Sequence, residues 1–216
     1  MMPWMRMPGQ TWAGAAASFV AMWTVMMVAM MLPSLVPMLG RYRLAVARNG
    51  TAQLGMLTTV MAIGYFAVWS ALGAAIYPFG AALAVAQMRL PALARAVPIA
   101  AGVVVLLAGT VQLTAWKARH LAFGRAAAER AHLSASDVPT AWRHGVCLGV
   151  HCNYCCAGLT ASFLALGVMD LRVMAVVTAA ITAERLVPAG ARVARAVGVV
   201  GIVAGAQLIV RAAAPG

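Results

Sequence analysis

Sulfur and imidazole side chains are concentrated in one short segment of the chain. Residues 144–156 read HGVCLGVHCNYCC and hold two of the four histidines and all four cysteines of the 216-residue sequence. On a helix, at about 100° per residue, Cys147, His151 and Cys155 lie within about 80° of arc. Thiolate and imidazole together suit copper or zinc. The segment therefore predicts a metal site with five side chains as its ligand pool: Cys147, His151, Cys152, Cys155 and Cys156.

The same segment allows a second chemistry. Cys152 and Cys155 have the C-x-x-C spacing that supports dithiol exchange in a thioredoxin-like setting. No strand pattern surrounds them here, and a helix places them about one turn apart. A membrane thiol-disulfide oxidoreductase is therefore the alternative hypothesis, although the chain has no second dithiol on another segment.

A second sulfur-rich segment reads MMVAMMLP at residues 26–33. On a helix Met26 and Met30 lie one turn apart, and Met27 with Met31 forms a neighbouring stripe. Thioether sulfur is a soft, neutral ligand suited to Cu(I), whereas methionine is also an adaptable packing residue of helix cores. We expect Met26, Met27, Met30 and Met31 to form a weak thioether path for the metal, with core packing as the alternative.

The composition indicates what positions these residues. Because 64% of the residues are hydrophobic and only 9% are charged, a water-soluble globule is excluded. A bilayer core of about 30 Å needs roughly 20 apolar residues per helix. The sequence predicts an all-α, polytopic membrane helix bundle: a single domain, residues 1–216, in the bacterial inner (cytoplasmic) membrane. Six apolar runs mark about six transmembrane helices: 13–39, 54–77, 97–116, 145–168, 172–188 and 196–213. Gly55, Gly64 and Gly73 in the second run indicate close helix packing.

Basic residues give the expected orientation. Eleven of the sixteen Lys and Arg residues fall in the loops after the first, third and fifth runs, so the positive-inside rule places those loops in the cytoplasm and both termini outside. The longest cytoplasmic loop covers about 117–143. The net charge of +12 thus indicates topology, and the lipid bilayer rather than a nucleic acid is the expected partner. By rise per residue, Met30 and Cys152 lie at similar depths, roughly 16 and 13 Å from the cytoplasmic boundary. They would line one site if the first and fourth helices were neighbours.

Glu184 is an acidic residue near the end of the fifth run. A carboxylate in a membrane span is a candidate metal ligand or proton carrier, but Arg185 follows it, so an interfacial ion pair is an equal alternative. The chain has no nucleophile paired with a base, no glycine-rich phosphate loop and no dinucleotide fingerprint. We therefore predict neither a hydrolase nor a nucleotide-dependent enzyme.

Several motifs resemble those of the domain-of-unknown-function 2182 family, described as predicted metal-binding integral membrane proteins. They are MWTVMMVAMMLPS (22–34), GYFAVW (64–69), AGTVQLTAWK (108–117), the cysteine segment (145–156), GVMD (167–170) and ERLVP (184–188). The resemblance implies metal binding and makes Glu184 part of a family motif, but it implies no reaction. Relatives tend to carry two cysteines after the lysine matching Lys117, where this chain has His120 and Gly124. We therefore expect no second, cytoplasmic thiol site. The chain also differs around Cys152, with His151 before it and Asn153-Tyr154 after it, and this difference bears on which metal fits.

These observations predict a membrane protein that binds a soft transition metal. Cu(I) is the expected ion and zinc the alternative, and the ion would be held for transfer, sensing or delivery to a membrane or periplasmic protein partner. The oxidoreductase is the second hypothesis. The third is a non-catalytic subunit of a larger membrane complex, because helix faces rich in methionine and small residues also suit packing against partner helices.

Overall fold

The computed structural model describes Trp4 and residues 9–48, 53–121 and 137–214. These residues form long helices and no strand, as the composition predicts. The helices are α1 (Trp12–Arg48), α2 (Leu54–Arg89), α3 (Pro91–Gln112), α4 (Val138–Leu166), α5 (Leu171–Leu186) and α6 (Gly190–Ala213). A short helical segment, 115–121, follows α3. Gly124 and much of the predicted cytoplasmic loop lie outside the described residues.

Five of these helices are long and apolar enough to cross a membrane: α1, α2, α3, α4 and α6. Helix α5 has 16 residues, about 24 Å at 1.5 Å per residue, which is shorter than a bilayer core of about 30 Å. The prediction of a membrane-embedded helix bundle is consistent with these five helices. The count of six spans and the outward termini remain predictions.

Two helices extend beyond the predicted runs at their C-terminal ends. Pro33 and Pro37 lie inside α1, which continues to Arg48, and Pro78 lies inside α2, which continues to Arg89. Proline removes one backbone hydrogen bond but does not have to end a membrane helix that neighbouring helices support. Hydropathy therefore located the apolar stretches, but it underestimated α1 and α2 at their C-terminal ends.

Helices α3 and α6 approach each other through glycines. A Cβ atom at Gly109 would lie 2.7 Å from the carbonyl oxygen of Gly198, and one at Gly205 would lie 2.6 Å from the backbone nitrogen of Leu106. Small residues allow such close backbone contact, which is a main source of helix association in membranes. This pair anchors one side of the bundle.

Helices α2 and α4 also meet through glycines, and this contact positions the cysteines. A Cβ atom at Gly149 would lie 2.8 Å from the carbonyl oxygen of Tyr65, and one at Gly64 would lie 2.9 Å from that of Trp142. At Gly73 a Cβ would overlap the ring of Trp23, whereas at Gly55 it would meet nothing within 4 Å. The predicted close packing is thus confirmed at Gly64 and Gly73 and is wrong at Gly55.

The bundle does not place α1 and α4 side by side. Helix α1 packs mainly against α2 and α5, whereas α4 packs mainly against α2, α3 and α5. The methionine and cysteine segments nevertheless share one buried cluster, which includes Met27, Met31 and Cys152. Side chains from α2 and α5 therefore lie between the two sulfur-rich helices and mediate the contact between them.

Candidate metal centre

A cavity of about 80 Å³ lies where the C-terminal part of α1, the middle of α4 and the C-terminal end of α5 meet the 115–121 segment. The residues that line it are Ser34, Pro37, Met38, Arg41, His120, Leu121, His151, Cys152, Cys155, Arg185 and Leu186.

Three of the four cysteines lie together in the protein interior. All four are free thiols; Cys152, Cys155 and Cys156 are buried, and Cys147 is exposed. The Sγ atoms of Cys152 and Cys156 are 3.9 Å apart, and Cys152 and Cys155 line the cavity. The structure thus pairs Cys152 with Cys156, places Cys155 at the cavity with Cys152, and leaves Cys147 on the outer face of α4.

The glycines of α4 explain this division. At about 100° per residue, Gly145, Gly149, Cys152 and Cys156 fall within about 60° of arc, and Cys147 lies nearly opposite to them. The two glycines dock onto α2, so they turn Cys152 and Cys156 inward. The shared face of these glycines and cysteines can be read from the sequence. The prediction instead used a stripe of ligand-type residues centred on His151.

The guanidinium of Arg185 lies against Cys152. Its Nη1 donates to the Sγ of Cys152 at 2.9 Å and to the Oγ of Ser34 at 3.3 Å, and its Nη2 lies 3.3 Å from the Sδ of Met38. The hydroxyl of Tyr65 donates to the same Cys152 sulfur at 3.0 Å. Donors directed at a sulfur, one of them cationic, stabilise its thiolate form.

Glu184 is the centre of a buried polar cluster beside the thiols. Its Oε2 lies 2.8 Å from the Nζ of Lys117, and the two side chains are 1% and 2% exposed. Gln112 donates to its Oε1 at 2.6 Å, and Lys117 donates to the carbonyl oxygen of Cys155 at 2.5 Å. Burial alone would lower the pKa of Lys117, but nearby Cys155 and Glu184 outweigh it and hold that pKa above its ordinary value. Glu184 therefore has a buried ion-pair partner, which is Lys117 rather than the adjacent Arg185.

His151 is half-buried at the cavity wall, one residue before Cys152. Its Nε2–H donates to the carbonyl oxygen of His120 at 2.9 Å, and the two imidazole rings are 5.7 Å apart between centroids. The ring of Trp116 lies 4.3 Å from that of His120. The 115–121 segment is thus held against α4 at the entrance to the thiols.

The predicted methionines are mostly core residues. Met27, Met30 and Met31 are at most 2% exposed and belong to the central apolar cluster, and Met26 packs against it from a half-buried position. The methionine beside the cavity is instead Met38, two turns further along α1 than Met31. Met38 is not one of the four methionines that the sequence predicted for the metal path.

The thiols could hold a metal ion that needs few ligands. Within the described residues, no three His, Cys, Asp or Glu side chains are gathered closely enough to form a metal site, whereas structural zinc requires four ligands. With their Sγ atoms 3.9 Å apart, Cys152 and Cys156 are the residues that would hold such an ion, and soft thiolate ligands suit Cu(I).

Sequence reasoning missed the residues of other elements that complete the site: Tyr65, Lys117, Met38 and Arg185. Two of them could have been found, because Lys117 and Arg185 belong to the motifs AGTVQLTAWK and ERLVP. They were missed because basic residues at the end of an apolar run are usually assigned to the water interface. Nothing in the local pattern indicates that Tyr65 faces Cys152.

Together these features define an all-helical bundle with a thiol-lined cavity at one end. The sequence model of the PpoB2 family, described as a copper chaperone, matches residues 20–208. The chain belongs to this family, and the resemblance to the domain-of-unknown-function 2182 family is consistent with the match. No curated protein and no solved structure matched the chain.

Proposed function

We propose that this protein is a membrane copper chaperone that holds Cu(I) on Cys152 and Cys156 and delivers it to a membrane or periplasmic protein partner. The observation that carries the proposal is the buried pair of free thiols, with their Sγ atoms 3.9 Å apart, beside an open cavity. The family description supports copper as the ion. The protein would act in the bacterial inner membrane, with the cavity facing the cytoplasm.

Charge balance favours a monovalent ion. Two thiolates and one Cu(I) leave a net charge of about −1, and Arg185 supplies one positive charge at 2.9 Å from Cys152. A buried ion complex needs such compensation, because the low-polarity interior does not supply it. Zn(II) would need four ligands, and Glu184 is already engaged by Lys117 and Gln112.

The remaining sulfur and imidazole groups have supporting roles in this proposal. Cys155 lines the cavity next to Cys152, and Met38 has its Sδ on the other side of the Arg185 guanidinium. His151 lies at the entrance. A metal entering from the cavity would meet His151, Met38 and Cys155 before it reached the Cys152–Cys156 pair.

A Cu(I) competition titration of the purified full-length protein tests the proposal. Replacing Cys152 and Cys156 together by Ser should remove most Cu(I) binding, because Ser preserves size but offers no thiolate. Cys147→Ser is the matched control, since it makes the same change on the exposed face of the same helix. Replacing Met27 and Met31 by Leu should leave binding nearly intact, because both are core residues whose volume Leu preserves.

Two results would overturn the proposal. A Cys152→Ser/Cys156→Ser protein that elutes as a folded species and still holds a full complement of Cu(I) would exclude the thiol pair. A wild-type protein that purifies without metal, takes up no Cu(I), and is stable only with another subunit would support the packing-subunit hypothesis instead.

A further inference from the structure

The cavity lining contains two cations, the guanidinium groups of Arg41 and Arg185. Arg185 contacts the Cys152 sulfur, whose thiolate form it balances, and no Asp or Glu is among the described residues that line the cavity. The Glu184 carboxylate is paired with the ammonium group of Lys117. The whole chain has only four acidic residues against sixteen basic ones. A concave, low-dielectric surface with one sign of charge focuses its field and attracts ions of the opposite sign.

A positively charged lining is the opposite of the one expected for a path that admits a bare metal cation. The two cationic side chains lie at different depths. Arg185 contacts Cys152, whereas Arg41 is exposed and lies three residues beyond Met38 on α1, on the same face. An entering species therefore meets Arg41 before it meets Arg185 and the thiols. The cavity volume of about 80 Å³ is enough for the metal end of a complex but not for a whole peptide.

We propose that the cavity receives copper as an anionic Cu(I) complex of a small thiol, with Arg41 as the residue that attracts it. This inference rests on the proposed function and specifies the kind of molecule that supplies the Cu(I). A thiol that carries carboxylates, such as a small acidic peptide, gives a Cu(I) complex of net negative charge. Arg41 attracts that complex, and its carboxylates stay at the rim while its Cu–S end enters.

The transfer is a ligand exchange without a redox step. A bond forms between Cu(I) and the Sγ of Cys152 as one Cu–S bond to the donor breaks, and a second exchange moves the ion fully onto Cys152 and Cys156. Copper remains Cu(I) throughout. The first donor thiolate leaves as the Cys152 thiolate binds, and the second takes up the proton that the Cys156 thiol releases, so charge and protons balance.

The experiment measures the rate of Cu(I) transfer to the full-length protein in detergent by stopped-flow absorbance of the copper–thiolate band. Cu(I) is supplied either by glutathione, as an anionic complex, or by acetonitrile, as a cationic complex. Arg41→Gln removes the proposed attraction. Arg43→Gln is the matched control, because Arg43 is an exposed residue on the same helix that does not line the cavity.

At low ionic strength, we expect Arg41→Gln to slow transfer from the glutathione complex by about three- to tenfold and to leave transfer from the acetonitrile complex unchanged or faster. Arg43→Gln should have little effect on either donor. The difference between Arg41→Gln and wild type should shrink at high salt, because exposed charges are screened. Arg41→Glu should slow the anionic donor further.

Two outcomes would overturn the inference. One is equal slowing of both donors by Arg41→Gln, which would mean a structural role for Arg41. The other is an Arg41→Gln protein that takes Cu(I) from glutathione at the wild-type rate and binds Cu(I) with unchanged affinity. Failure of the proposed function is distinguishable, because the wild-type protein would then bind no Cu(I) at equilibrium from either donor.

Discussion

The buried ion pair between Lys117 and Glu184 makes the sharpest stability prediction. Lys117→Met removes the ammonium group but preserves the length and most of the volume of the side chain. It takes the lysine partner from the Glu184 carboxylate, which is 1% exposed, and retains the hydrogen bond from Gln112. It also removes the donor to the carbonyl oxygen of Cys155.

The magnitude follows from burial. Breaking one partner of a buried pair costs about 3–5 kcal/mol, because the remaining charge is uncompensated. Glu184→Gln should cost less, since Gln keeps an acceptor for Gln112 but leaves the lysine unpaired. The double variant should cost less than the sum of the two single changes by about 1–3 kcal/mol, because neither charge then remains alone.

A double-mutant cycle measures this coupling through reversible unfolding of the detergent-solubilised protein in a denaturing-surfactant titration. Arg119→Met is the control, because Arg119 is an exposed basic residue of the same segment. It should change the free energy of unfolding by less than about 0.5 kcal/mol. The reasoning is refuted if Lys117→Met costs less than about 1 kcal/mol, as for an exposed pair, or if the two changes are simply additive.

Three further predictions address topology, thiol state and helix packing. A cysteine introduced at Ser136, which lies outside the described residues, should not react with an impermeant maleimide added to intact cells; efficient labelling would contradict the inward orientation. Cys152 and Cys155 should be reduced thiols after rapid acid quenching and mass-spectrometric mapping, and a dominant disulfide between them that cycles with substrate would favour the oxidoreductase. Gly145→Ala should destabilise the protein by about 1–3 kcal/mol, because its Cβ would collide with the carbonyl oxygen of Met61; unchanged unfolding would mean that α2 and α4 separate at little cost.

The apolar helices and the clustering of the cysteines were predictable from the sequence. Apolar runs of about 20 residues have few alternatives to membrane helices, and the structure has five helices of that kind. The cysteines lie within ten positions of one such run, so no fold could separate them by more than a few helical turns. Metal binding as a hypothesis followed from ligand chemistry alone.

The side of α4 that faces the interior was not determined in the same way. In a membrane, apolar side chains face lipid as readily as they face other helices, so hydrophobic periodicity does not identify the buried face. Docking of Gly145 and Gly149 on α2 set that face. It turned Cys152 and Cys156 inward and left Cys147 exposed.

The electrostatic surroundings of the thiols depended entirely on tertiary structure. Tyr65, Arg185 and Lys117 come from three elements that are distant in sequence from Cys152 and Cys155, and each contacts one of these two cysteines. The sequence determined which groups were available and that the chain forms helices long and apolar enough to cross a membrane. Only the packing of the helices decided which cations lie beside which sulfur, because such contacts depend on helix rotation and on neighbours that local periodicity does not encode.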